Sequence, residues 1–185
     1  MSAFLLFTTL ALAAREQCVE AFPKRLPSSA RAYFDTFDGI FAAVAERRGL
    51  DPALLKAHAW CETRLDPCAV SPAGASGLMG FMPQTFAEVS TAAGATDPFD
   101  PADSVEAAGV YLAALINYWK GDLSAVVASY NAGPAAVAAA RRRGLVIPAI
   151  EETQGYVRCV LSAHRALSRG DRSSSWKRLI AALTN

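Results

Sequence analysis

The chain's helical character is clearest in residues 51–67, which read DPALLKAHAWCETRLDP. Asp51 is a favoured helix N-cap, and Pro52 suits the first helical position, where its missing N–H is not needed. The following Asp66-Pro67 stops the helix, so the pattern predicts a helix over about 52–64. One stripe of that helix consists of Leu54, His58, Cys61 and Leu65. The adjacent stripe ends in Glu62, which therefore lies at the shoulder of the buried face.

Helical periodicity and caps continue on both sides of this segment. A helix is predicted from a cap at Ser28 or Ser29 to Arg48. The others are predicted over about 83–93, 103–120, 123–130, 134–143, 151–168 and 174–183. The sequence contains no repeat, no dividing linker and no convincing strand pattern. We therefore expect an all-α single domain of several short helices.

Composition limits the class of protein. The chain has 185 residues, of which 52% are hydrophobic and 19% are charged, so it can bury one core and is not disordered. Its formal net charge of +1 argues against nucleic-acid binding by the whole molecule. Residues 1–140 carry nine Lys/Arg and fourteen Asp/Glu (net −5), whereas residues 141–185 carry nine against three (net +6). That basic C-terminal segment either meets an acidic partner or is a solvated helical face.

The N-terminus is typical of an export signal. Residues 3–14 are uncharged and mostly apolar, yet too short to span a membrane, which takes about 20 residues. Small residues at 11–14 fit a cleavage site, so 1–14 is the predicted signal peptide. Because Met1-Ser2 lacks Lys and Arg, a buried first helix is the alternative. We expect an exported, periplasmic protein without a stable membrane anchor.

The four cysteines fit an oxidising compartment and allow three disulfide pairings. Cys61 and Cys68 flank the predicted helix end, which favours their pairing and leaves Cys18 with Cys159. Four buried free thiols are one alternative. A zinc site that includes His58 and His164 is another, but the spacing matches no standard zinc pattern. We expect no metal and no cofactor.

Four separated segments carry candidate chemistry. They are Glu62-Thr63, the loop AVSPAGASGLMGFMPQT at 69–85, SYNAG at 129–133 and ETQGYV at 152–157. Their order and spacing resemble the catalytic domain of soluble lytic transglycosylases, in the lysozyme-like superfamily, over about residues 30–168. The family pattern is Glu-Ser, Ser-x-x-Gly-Ala-x-Gly-Leu-Met-Gln-x-Met-Pro, Tyr-Asn-Ala-Gly and Glu-Thr-x-x-Tyr-Val. Each segment alone is weak, but four in register are specific. The resemblance implies a lysozyme-like fold with helices around a substrate groove.

The resemblance assigns the acid and base work to Glu62. In that family a single glutamate cleaves the β-1,4 bond between N-acetylmuramic acid and N-acetylglucosamine and leaves a 1,6-anhydromuramyl product. A second catalytic carboxylate, as in ordinary glycosidases, is then unnecessary. The glutamic acid must stay protonated near neutral pH, which an apolar pocket achieves by desolvation. We expect Met79, Phe81, Met82 and Tyr130 to line that pocket.

The resemblance also implies substrate-binding residues. These are Ser71, Met79, Met82, Tyr130, Asn131 and Glu152. For Ser71 a role as a turn residue before Pro72 is an equal alternative, and for Glu152 the alternative is a first-turn helix glutamate. Tyr156 is expected to be a packing residue, and His58 to face the core.

Two positions depart from the family pattern. Thr63 replaces Ser and keeps the hydroxyl, whereas Gly80 replaces a Gln that would reach into the groove. The loss of that Gln puts one substrate contact in doubt.

The predicted function is therefore a peptidoglycan lytic transglycosylase, a lyase acting on glycan strands. Its predicted organisation is a signal peptide at 1–14, an N-terminal segment at 15–29, a catalytic domain at 30–170 and a basic C-terminal tail at 171–185. We expect a monomer, with a secretion, conjugation or pilus apparatus as partner by analogy. The alternatives are a lysozyme of the same fold and a weakly active peptidoglycan-binding scaffold of such an apparatus.

Overall fold

The computed structural model describes residues 3–22, 34–169 and 175–184. In these ranges the chain forms nine α-helices and two isolated β-bridges. The helices are α1 (Ala3–Ala21), α2 (Asp38–Arg48), α3 (Pro52–Thr63), α4 (Pro83–Ala93), α5 (Pro101–Tyr118), α6 (Leu123–Ala132), α7 (Pro134–Arg142), α8 (Glu151–Leu167) and α9 (Ser175–Thr184). The predicted all-α class is confirmed.

Local signals set most helix ends. The Asp51 side chain accepts a hydrogen bond from the Ala53 N–H, 2.9 Å away, and caps α3 as predicted. Helix α5 begins at Pro101, two residues earlier than predicted, because the Asp100 side chain caps it. Helix α2 begins only at Asp38, after a turn over 34–37. The predicted cap at Ser28 or Ser29 lies outside the described residues.

Helix α3 is the central element of the fold. Its residues Leu54–Trp60 are all buried, because α3 packs against α2 on one side and α8 on the other. The buried stretch includes Lys56, whose ammonium is 2.6 Å from the Asp38 carboxylate and lies over the Phe34 ring. A buried cation needs such a partner. Glu62, the penultimate residue of α3, directly follows this buried stretch and Cys61.

The C-terminal helix belongs to the same core. Helix α9 packs against α8, and its Leu179 is fully buried. Arg141, in the basic stretch at 141–143, is already engaged: its guanidinium is 2.6 Å from the Asp122 carboxylate and lies over the Trp119 ring. Arg142 and Arg143 are exposed. Only part of that basic stretch is therefore available to a partner.

The predicted disulfide pairing is wrong. The bonds are Cys18–Cys68 and Cys61–Cys159. Sequence proximity favoured Cys61 with Cys68, but α3 packs against α8, which places Cys61 opposite Cys159. Cys68 is fully buried beyond the end of α3 and meets Cys18 of α1. Both bonds thus join elements that are distant along the chain.

Among the helices of the described ranges, none combines the length and apolar character needed to cross a bilayer.

Candidate active site

Glu62 lies where α3 ends in an abrupt turn. Arg64 and Leu65, directly after the helix, both adopt the left-handed backbone conformation, with φ of 58° and 64°. Such a conformation is costly for residues other than glycine, and it must be held by its surroundings. Thr63 contributes, since its hydroxyl donates to the Leu78 carbonyl over 2.9 Å. The hydroxyl that Thr63 retains from the family's Ser thus joins the end of α3 to the loop that follows.

That loop, residues 69–82, is held by hydrogen bonds to two further helices and by bridges within itself. The Tyr130 hydroxyl of α6 donates to the Met79 carbonyl over 3.0 Å, and the Met79 N–H donates to Ser104 Oγ of α5 over 3.2 Å. Antiparallel bridges join Ser76 to both Val70 and Phe81. The loop is therefore a rigid wall beside Glu62.

Gly80 is the point at which this wall meets the carboxyl group. A Cβ at Gly80 would lie 2.5 Å from Glu62 Oε2 and 2.9 Å from Glu62 Cδ, and the Gly80 φ is +66°. A side chain at this position would force the Glu62 carboxyl to shift, and glycine adopts this φ at the least cost. This changes the interpretation of the departure at position 80: Gly80→Gln would displace Glu62 and would not test a lost substrate contact alone.

The surroundings of Glu62 make its carboxyl a weak acid. Burial raises its pKa from 4.5 to about 7, and the negative charge of Glu152 acts in the same direction. A hydrogen bond from the Tyr156 hydroxyl opposes the rise, because it favours the anion. The carboxyl group is thus half-protonated near neutral pH, which suits a group that must both give and take a proton.

Two buried tyrosine side chains lie close to Glu62. Burial, with Glu62 nearby, raises the pKa values of the Tyr130 and Tyr156 hydroxyls well above their usual range, so both stay protonated. The Phe81 and Tyr130 ring centroids are 6.0 Å apart. His58 lies beneath both tyrosines, fully buried, with its Nδ1 2.8 Å from the Tyr156 hydroxyl.

The segments at 129–133 and 152–157 meet across α6 and α8. Asn131 Nδ2 donates to Glu152 Oε1 over 3.2 Å, and the Thr153 hydroxyl donates to Asn131 Oδ1 over 2.8 Å. Asn131 is half-buried and Glu152 is exposed, so their free polar atoms face solvent near Glu62.

The remaining predicted site residues differ in solvent exposure and in their contacts. Met79 is fully buried and packs under the site, whereas Met82 is 43% exposed at the start of α4. Ser71 Oγ accepts a hydrogen bond from the Ala75 N–H over 3.0 Å, which is the turn role that its position before Pro72 offered.

Three residues of the site were missed or undervalued from sequence. Tyr156 was expected only to pack, yet its hydroxyl lowers the pKa of Glu62, and His58 forms a hydrogen bond with that hydroxyl. The signal for Tyr156 was its position one helical turn after Glu152, on the same face of α8. Nothing local marked Gly80 as the contact of Glu62.

Within the described part of the chain, no group of three or more His, Cys, Asp or Glu side chains is arranged to hold a metal ion.

Solved structures share this fold. The lytic transglycosylase Slt of Pseudomonas aeruginosa, solved as an inactive glutamate-to-glutamine mutant, is 28% identical, with a TM-score of 0.60 over 76% of this chain and 24% of that one. The 70 kDa soluble lytic transglycosylase of Escherichia coli has a TM-score of 0.65 over 92% of this chain and 35% of that one. At 21% identity this second likeness concerns the fold alone.

Curated relatives carry related names. The peptidoglycan transglycosylase gp16 of Escherichia phage T7 is 27% identical over 159 residues, which is 82% of this chain and 12% of that protein. Membrane-bound lytic murein transglycosylase C of Edwardsiella ictaluri is 30% identical over 133 residues, or 64% of this chain and 36% of that protein. The chain therefore spans about a third or less of these relatives. A family model, described as the transglycosylase SLT domain, matches residues 39–144. Since that match covers more than half of the sequence, the chain belongs to the transglycosylase SLT domain family.

Proposed function

We propose that this chain is a peptidoglycan lytic transglycosylase with Glu62 as its general acid and base. One observation carries the proposal: a single carboxyl, whose pKa burial raises to about 7, is held against a rigid loop at the meeting point of the four segments. A group with that pKa is protonated often enough to act as an acid and is a strong enough base to recover the proton.

The reaction has two steps. In the first, Glu62 donates its proton to the glycosidic oxygen, and the bond to the muramyl anomeric carbon breaks. In the second, the Glu62 carboxylate takes the proton of the muramyl C6 hydroxyl, whose oxygen bonds to the anomeric carbon and closes the 1,6-anhydro ring. Glu62 ends as it began, and no water is consumed. Assistance by the muramyl N-acetyl group replaces a second carboxylate.

The Asn131–Glu152 pair provides contacts for the amide groups of the sugars. Asn131 keeps a second amide hydrogen, and Glu152 keeps a second carboxylate oxygen, at the exposed edge of the site. The Tyr130 hydroxyl is occupied by the Met79 carbonyl, so we assign Tyr130 to the pocket wall.

Export to the periplasm follows from the same proposal, because the substrate lies outside the cytoplasm. Cleavage near residue 14 would remove the apolar half of α1 and keep Cys18, whose bond to Cys68 ties the new N-terminus to the domain. Two disulfides fit an oxidising compartment. The monomer, and service to a secretion, conjugation or pilus apparatus, remain part of the proposal by analogy.

Mass spectrometry of the soluble products from isolated sacculi tests this function. The wild-type protein should release muropeptides one water lighter than reducing-end products. Glu62→Gln should release fewer by about 10³-fold or more, because it keeps the shape and loses the proton. Glu46→Gln, an exposed glutamate on α2, is the matched control and should behave as the wild type.

Other outcomes would replace the proposal. Reducing-end products that depend on Glu62 would make the chain a lysozyme-type hydrolase. Folded wild-type protein that binds sacculi and releases nothing would be a scaffold.

A further inference from the structure

The loop between α7 and α8, residues 143–150, exposes apolar side chains that the proposed reaction does not use. Leu145 is 41% exposed, Val146 67% and Ile150 47%. Within the described part of the chain, no other six-residue segment presents three large exposed hydrophobic side chains. Clustered exposure of this kind marks a binding surface, whereas single exposed side chains are ordinary.

Arg141 fixes the first half of this loop. Its Nε donates to the Val146 carbonyl over 3.2 Å, and its guanidinium lies over the Trp119 ring. The Trp119 indole N–H in turn donates to Ser129 Oγ over 2.7 Å. Ser129 directly precedes Tyr130 of the active site. The first half of the loop is thereby attached to α6, the helix that carries Tyr130.

The second half of the loop ends at the edge of the active site. Pro148 is buried, and Ile147 packs against the core. The exposed Ile150 directly precedes the first turn of α8, in which Glu152 accepts a hydrogen bond from Asn131 over 3.2 Å. Both ends of the loop are therefore attached to helices that form the active site.

Two arginines add positive charge to this surface. Arg142 and Arg143 lie directly before the loop's apolar residues, and both are exposed without an ion pair among the described residues. The nearest acids along the chain, Glu151 and Glu152, follow the opposite end of the loop. A guanidinium binds a carboxylate in a bidentate geometry. The surface thus combines aliphatic contacts with donors for carboxylates.

We call this combined surface the lip. It consists of Arg142, Arg143, Leu145, Val146 and Ile150.

We propose that the lip binds the stem peptide of peptidoglycan, which is attached to the lactyl group of N-acetylmuramic acid. This rests on the proposed function, because it requires a glycan strand at Glu62. Stem peptides consist largely of alanine and of residues with free carboxylates. Their methyl groups match the aliphatic side chains of the lip, and their charges match its arginines. Since the stem is attached to the sugar whose bond is cleaved, a surface joined to the site helices is placed to meet it.

Other exposed arginines of the basic C-terminal segment lack this combination. Arg158 and Arg165 are exposed on α8, about two helical turns apart. No large hydrophobic side chain of α8 is exposed beside them. These two residues therefore provide a matched control for the charge of the lip.

Binding to the Glu62→Gln protein tests the proposal without turnover. The probes are two soluble glycan fragments of equal length, one with tripeptide stems and one from which an amidase has removed the stems. We expect the stem-bearing fragment to bind at least about 10-fold more tightly, the gain of one charge-assisted hydrogen bond. Isothermal titration calorimetry measures both dissociation constants.

Two double substitutions in that protein locate the preference. Val146→Ser with Ile150→Ser, and Arg142→Gln with Arg143→Gln, should each remove most of the difference by weakening the stem-bearing fragment alone. If the preference survives both pairs, or if both fragments weaken equally, the lip does not bind the stem and the inference is wrong.

The control pair carries the same change of charge on the same C-terminal segment. Arg158→Gln with Arg165→Gln should keep the full preference for the stem-bearing fragment. An equal loss of preference in this pair would show that general positive charge, and not the lip, attracts the stem, which also overturns the inference.

The stem assignment and the proposed function fail separately. Sacculi that yield no products would refute the proposed function, while a lip-dependent preference for the stem-bearing fragment would still hold. Release of 1,6-anhydro products by a protein that binds both fragments equally would refute the stem assignment alone. Lip-dependent binding to phosphatidylglycerol vesicles, without any preference between the fragments, would replace the stem by a membrane surface.

Discussion

At the scale of single residues, the position of the Glu62 carboxyl depends on the lack of a side chain at Gly80. Glu62 packs against the backbone of Gly80, and the loop that carries Gly80 is held by Thr63, Tyr130 and Ser104. The loop cannot easily retreat, so an added Cβ would move Glu62 instead. The lack of a side chain at Gly80 thus leaves room for the carboxyl in its present position, where burial raises its pKa.

Gly80→Ala should therefore impair the acid. The added methyl group pushes the carboxyl toward solvent, so the Glu62 pKa should fall from about 7 toward 4.5. We expect product release at pH 7 to drop by about 10- to 100-fold, the usual cost of a misplaced catalytic group, and less at pH 5. Rates on sacculi across pH 4.5–8 measure this.

Gly94→Ala is the matched control. Gly94 has nearly the same φ, +67°, with nothing within 4 Å of its added Cβ. Both substitutions should cost about 1 kcal/mol of stability for the left-handed backbone. If the two variants show the same pH profile per folded molecule, Gly80 has no special relation to Glu62.

At the scale of elements, the site is a junction of α3 and α8. Cys61 precedes Glu62 on α3, and Cys159 lies three residues after Tyr156 on α8, so the Cys61–Cys159 bond fastens the two helices next to the site. The Cys18–Cys68 bond instead ties α1 to the loop beyond α3. The two bonds therefore have different expected effects on function.

Removing each disulfide should separate stability from activity. A disulfide bond typically contributes about 2–4 kcal/mol to the free energy of unfolding. We therefore expect a lower melting temperature for each of two double variants, Cys61→Ala with Cys159→Ala and Cys18→Ala with Cys68→Ala. Only the first pair should also lower activity well below the melting transition, because it loosens Glu62 relative to Tyr156. Equal activity of the two folded variants would contradict this assignment.

At the scale of the whole molecule, the half-buried Glu62 carboxyl lowers the stability of the folded state at high pH. Between pH 4.5 and about 7 the folded state holds the Glu62 proton that the unfolded chain has released. Stability must then fall as pH rises through that window. A pKa displaced from 4.5 to about 7 corresponds to about 3 kcal/mol at high pH.

Glu62→Gln should recover this free energy. Relative to the wild type, the variant should gain up to about 3 kcal/mol of unfolding free energy between pH 4 and pH 8. Taking the difference between the two proteins removes the contributions of other groups, such as buried His58. Denaturant unfolding at pH 4, 6 and 8 gives the values, with Glu46→Gln as control. Parallel pH curves for wild type and Glu62→Gln would show that Glu62 is not a buried acid.

Much of this architecture was readable from local sequence. Caps such as Asp51, prolines at first helical positions and the 3.6-residue period act within a few residues, so helices α3, α4 and α6–α9 begin and end close to their predicted positions. The four segments, with Glu62 as the candidate acid, were likewise recognisable, because their order and spacing along the chain can be read without knowledge of the fold.

The rest required the tertiary structure, because it depends on how separate elements face one another. The pairing of Cys61 with Cys159, the contact of Gly80 with Glu62 and the His58–Tyr156 hydrogen bond join residues 98, 18 and 98 positions apart. Helical period fixes which residues share a face, whereas the packing of α3 against α8 and the loop decides what that face meets. The sequence thus identified Glu62 as the candidate acid, and the tertiary structure decided how far the pKa of its carboxyl is raised.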